Sequence, residues 1–137
     1  MAGCSQPGPA VTVYVPDYTG PTQQQGARAP WLDASACSIW KGTWTWCGPY
    51  AYCNSPHPAP SDVGLNSLDQ VYVVQDLNNI HKQISIYLCQ GKTWSSPEVT
   101  QLVNQAAQIR QSAASRGLGT LVTQNGQTYI QMNGQLY

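Results

Sequence analysis

The stretch Thr43-Trp-Thr-Trp-Cys-Gly-Pro-Tyr-Ala-Tyr-Cys53 gathers thiols, aromatic rings and a turn into eleven positions, and each suggests a chemistry. A dithiol redox centre needs one cysteine at a helix start, where its thiolate is stabilised, and a second three positions later to resolve the mixed disulfide. After Cys47 that place is held by Tyr50, and Cys53 stands six positions on. Pro49, Pro56, Pro58 and Pro60 then bar a long helix. Cys47 and Cys53 therefore read as structural thiols.

Trp46-Cys47-Gly48-Pro49 resembles the thioredoxin active site, with Tyr50 replacing its second cysteine. The resemblance covers those five residues and implies no redox role.

With Cys4 set aside as terminal, Cys37, Cys47, Cys53 and Cys89 permit three pairings. Gly48 and Pro49 can turn the chain back, which favours a local Cys47–Cys53 bridge and leaves Cys37 to join Cys89. Such bridges place a protein outside the cytosol or on an assembled particle; the competing reading is reduced, buried cysteine. Ala2-Gly3-Cys4-Ser5 also matches the end of a bacterial lipoprotein signal. Cys4 is then the lipidated residue if an upstream segment is removed, and otherwise an ordinary thiol.

The aromatic residues offer a second chemistry. Residues 38–46 alternate as a strand does, which sets Trp40, Trp44 and Trp46 on one face, with Tyr50 and Tyr52 beyond. Flat rings in a row can stack on pyranoses. With no phenylalanine in the chain, they can equally fill a core or a subunit contact. Catalytic sets find less support. His57 lies in a proline-rich loop and His81 at an expected hairpin turn, both solvent-facing, and the histidines and cysteines lack metal-ligand spacing. Glu98 reads as a helix-start residue. No cofactor, metal site or enzymatic activity is expected.

Elements must position these residues. A chain of 137 residues suits one domain, 1–137. Ala10–Val15 reads as a strand, and residues 16–36 as a Pro/Gly/Gln-rich loop or arm. Gln70–Leu77 and Lys82–Cys89 read as antiparallel strands about Asn78-Asn79-Ile80-His81. A helix over 97–116 is marked by Ser95 or Ser96 as N-cap, Pro97, Glu98 and a C-terminal Gly117. Its apolar face is Val99, Leu102, Val103, Ala106, Ile109 and Ala113, and Arg110 falls on the solvated face. Asn125-Gly126 and Asn133-Gly134 mark two hairpin turns in a meander over 119–137. The fold class is α+β: an antiparallel sheet with one amphipathic helix packed on it.

Composition narrows the function. Six basic and six acidic residues give zero formal charge, with only 9% of residues charged. The cations are scattered singly, so no nucleic acid is expected as a partner, and no apolar run reaches the ~18–20 residues of a membrane span. A neutral amide-rich surface and an ungated terminal strand suit close packing with other copies or subunits. The expectation is a non-enzymatic structural subunit of an extracellular, virion or bacterial cell-surface assembly, such as a phage virion component or surface fibre. The alternative is a secreted or lipid-anchored carbohydrate-binding module that takes glycan on the aromatic face.

Overall fold

A computed structural model describes residues 29–137 apart from His57 and Asn125. Cys4, the strand expected over 10–15 and residues 16–28 of the expected arm lie outside the described residues.

The chain is mixed α+β. Helix α1 (Ala34–Ile39) leads into the hairpin β1 (Thr43–Cys47) and β2 (Tyr50–Asn54). A short 3-10 turn, Pro60–Val63, precedes two long helices, α2 (Leu68–Cys89) and α3 (Pro97–Ser115). Strands β3 (Thr120–Gln124), β4 (Gln127–Met132) and β5 (Gln135–Leu136) follow. The strands form two separate antiparallel sheets, β1-β2 and β3-β4-β5, rather than one. The long helices pack on each other, with β2 against α2 and β4 against α3.

The main correction is α2. The two strands expected over 70–77 and 82–89 are one 22-residue helix running through Asn78–His81. The Ser67 hydroxyl caps it by accepting from the Gln70 N–H, and the Gln70 side chain reaches back to accept from the Asn66 N–H at 2.7 Å. This pair is a variant of the capping box. Gln70, Val71, Val74, Leu77, Asn78, His81, Ile84, Ser85 and Leu88 are buried at steps of three and four, a helical stripe rather than an alternating one.

Helix α3 occupies the span expected of it. Pro97 stands at its start, and beyond its end Gly117 takes φ 78° while Leu118 and Gly117 donate to Ala113 and Ala114. Those are the two bonds of a Schellman cap. Arg110, however, is buried at 2% exposure instead of facing solvent. Its Nε donates to the Tyr137 carbonyl at 3.0 Å, so the guanidinium lies between α3 and the end of the sheet.

Helix α1 replaces the first half of the strand expected over 38–46. Asp33 caps it through the Ala36 N–H. At its far end Lys41 takes φ 63°, and Gly42 and Lys41 donate to Cys37 and Ser38, a second Schellman cap. Trp40 therefore ends a helix and is fully buried, out of line with Trp44 and Trp46.

All four cysteines from Cys37 to Cys89 are in disulfides, paired Cys37–Cys53 and Cys47–Cys89. The hairpin register gives the reason. Trp44 faces Cys53, Trp46 faces Ala51 and Cys47 faces Tyr50 across the ladder, so Cys47 and Cys53 point to opposite sides and cannot meet. On one side Cys53 reaches α1, and on the other Cys47 reaches the end of α2. Closing loops of 16 and 42 residues removes unfolded-state entropy worth roughly 3–4 kcal/mol for each bridge.

Candidate functional site

Three arrangements bear on what the molecule can do: the hairpin aromatics, the buried polar groups of α2, and the free edge of the C-terminal sheet.

The aromatic residues expected to form one platform are dispersed. Trp40 is in the core. Trp44 and Trp46 are half-buried on the side of the hairpin that carries Ala51 and Cys53, whereas Tyr50 and Tyr52 share the other side with Thr43, Thr45 and Cys47. Tyr50 packs against the core, and the Lys82 ammonium stands 5.7 Å from the Tyr52 ring centre. What remains for flat stacking is the pair Trp44 and Trp46.

Helix α2 turns polar side chains inward at specific points. Gln75 donates to the Pro56 carbonyl at 2.6 Å, Asn78 to Cys53 at 2.8 Å and Ser85 to Ala51 at 3.0 Å. Ala51 and Cys53 sit in non-hydrogen-bonded pairs with β1, so their carbonyls point away from it. The helix thus satisfies the outer edge of β2 with side chains in place of a strand. His81, expected in solvent, is buried at 4% and stacked on Trp31, with ring centres 5.0 Å apart and planes 13° from parallel. Burial, and then the like charge of Arg110, hold its imidazole well below the usual histidine range. Its Nε2 has no hydrogen-bond partner among the described residues. The sequence singled out His81 as a titratable group, but reading 78–81 as a hairpin turn hid that Leu77 and Ile84 lie one turn away on the same buried helical stripe.

On the surface, a cavity of 320 Å³ lies between the long helices over Val73, Asp76, Gln105 and Arg116. A second, of 200 Å³, includes Gln83, Tyr87, Glu98 and Gln101. Glu98 starts α3; a hydrogen bond from its own backbone N–H, then one from Lys92, lowers its carboxyl below the usual range. Lys92 Nζ lies 3.3 Å from Glu98 Oε2. Among the described residues no cluster of three or more His, Cys, Asp or Glu is placed to hold a metal ion. None of the described helices is long and apolar enough to cross a membrane.

Among the described residues the C-terminal sheet has two outer strands, β3 and the two-residue β5, and β3 is the longer edge. β5 is two residues long, with Leu136 and Tyr137 buried. Strand β4 is central: Ile130 gives its N–H and its carbonyl to Tyr137, at 2.9 and 2.8 Å. Leu121 faces Ile130 from the other side, so neither group is left for it, and its own N–H and C=O point outward. Alternation gives Thr123 the same orientation. Leu121 is 40% exposed, and Thr120-Leu-Val-Thr-Gln124 contains no charge and no proline. Gly119 holds the strand close to β4, since a Cβ there would fall 2.7 Å from the Met132 Cγ.

Comparison with protein-family models, curated proteins and solved structures returns no match to this chain.

Proposed function

We propose that this chain is a non-enzymatic structural and interaction subunit of an extracellular or particle-borne assembly, such as a phage virion or surface fibre, and that copies join through β3. The observation that carries the reading is the β3 edge, unguarded among the described residues: two residues present N–H and C=O outward, with Leu121 exposed between neutral neighbours. Edge strands of monomeric proteins carry lysine, proline or a bulge to prevent such pairing. Two β3 strands pairing antiparallel about a two-fold axis make one six-stranded sheet from two three-stranded ones, a self-complementary contact. The neutral chain adds no charge repulsion between copies. The two disulfides suit an oxidising compartment.

This reading moves the contact from the terminal strand to β3. The carbohydrate-binding alternative rests on Trp44 and Trp46, half-buried on one side of the hairpin. Leu121→Lys separates the two. A charge on the edge is expected to reduce self-association at least tenfold in light scattering coupled to gel filtration, with the helical spectrum unchanged. A wild-type monomer whose tryptophan fluorescence is quenched by neutral oligosaccharides would favour the carbohydrate reading instead.

A further inference from the structure

We propose that His81 is an acid-sensitive latch for the turn that carries Trp31. Protonating its imidazole releases residues 29–32, while the disulfide-tied hairpin and the long helices stay folded.

Trp31 is only 2% exposed, and its indole covers the face of His81. The neutral imidazole fits this site: it is flat, and its Nε2 needs no proton acceptor. The cation does not fit, because the added N–H has no acceptor among the described residues. The charge that acts on His81 is Arg110 on α3, which has the same sign and is anchored through Nε to Tyr137 at 3.0 Å. Other groups give no relief. On α2 itself Asp69 and Asp76 are exposed, and Lys82 stands over Tyr52. On α3 Glu98 is engaged by Lys92, and the Tyr137 phenol, its ionisation pushed up by burial, stays neutral. An imidazolium stacked on indole gains a cation–π attraction, but the loss of hydration in a closed site is the larger effect.

Opening the turn hydrates His81 without disturbing a helix or strand, since residues 29–32 lie outside them, whereas α2 is bonded to β2 at two points and to Pro56 just beyond it. The direction in pH follows from linkage. The folded imidazole binds its proton less readily than the unfolded one, so the latch is at full strength above about pH 6.5 and weakens as pH falls below it.

Fluorine NMR of the 5-fluorotryptophan-labelled protein tests the latch, with the Trp31 signal assigned by its loss in Trp31→Phe. Between neutral pH and about pH 4.5 the Trp31 signal is expected to move to a solvent-exposed position while that of core Trp40 stays fixed. Its midpoint should coincide with the titration of the His81 imidazole. His81→Phe, which keeps the stack without a titrating nitrogen, should abolish the Trp31 transition. Arg110→Met should lower its midpoint, because the closed site then tolerates the imidazolium better and opening is driven less strongly. A Trp31 signal that moves only together with Trp40, or an unchanged midpoint in His81→Phe, overturns the proposal. If the variants fail to fold, the comparison of the two tryptophans in the wild-type protein decides alone.

Discussion

At Gly42 the backbone passes so close to the Cys37–Cys53 bridge that a side chain has nowhere to go. A Cβ there would collide with Cys53 Sγ, and it would lie 2.8 Å from Cys37 Sγ and 2.9 Å from the Asn54 carbonyl. Gly42→Ala is therefore expected to cost several kcal/mol, roughly the range of a severe overpacking change, and to slow formation of that bridge. Urea unfolding and thiol counting during refolding measure both. The residue before it points the other way. Lys41 holds φ 63°, a left-handed conformation that costs an L-residue roughly 1 kcal/mol, and its side chain is exposed. Lys41→Gly should raise stability by up to about 1 kcal/mol in the same unfolding assay. Neither effect was visible in the sequence. Gly42 fell inside an apparent strand, and the bridge that confines it could not be chosen among three pairings by spacing alone.

At the level of elements, α3 was legible because its signals agree: a proline at the start, a glycine past the end, and small or apolar residues at helical spacing between them. The meander was legible for a similar reason, since Asn133 and Gly134 take φ 53° and 80° as a two-residue hairpin turn requires. Helix α2 was misread because its buried stripe includes Gln75, Asn78, His81 and Ser85. The pairs Val71 and Val73, and Ile84 and Ile86, mimic alternation, although Val74, Leu77, Ile80 and Leu88 fall at helical spacing. The signal that would have found it is Ser67-Leu-Asp-Gln70, a capping box ahead of 22 residues free of glycine and proline. Asn78 and Ser85 were uninterpretable without β2, whose edge they complete. This role is testable. Asn78→Ala leaves the Cys53 carbonyl buried without its donor and is expected to cost about 1–3 kcal/mol, whereas Asn79→Ala on the exposed side should be close to neutral. Equal losses at both positions would contradict the edge-capping account.

Across the whole molecule, the two bridges divide the work unequally. Cys37 and Cys53 are fully buried, while Cys47 and Cys89 are half-buried at the hairpin tip and the end of α2. Mild dithiothreitol is expected to open Cys47–Cys89 first, read as two alkylated cysteines mapped to those positions before any label appears on Cys37 or Cys53. Neutrality and an ungated strand in the sequence suggest association between copies, and the register places the longer outer strand at β3, where Leu121 and Thr123 turn their backbone groups outward. The central claim is that β3 joins copies of this chain through its backbone. Thr123→Pro tests it most directly, because it removes one outward N–H and leaves the ladder to β4 intact. Sedimentation velocity over a micromolar concentration series should show the wild-type chain as a dimer or larger species and Thr123→Pro as a monomer of unchanged helical content. A wild-type chain that sediments as a monomer throughout, or a proline variant that associates as strongly as the parent, would contradict the account.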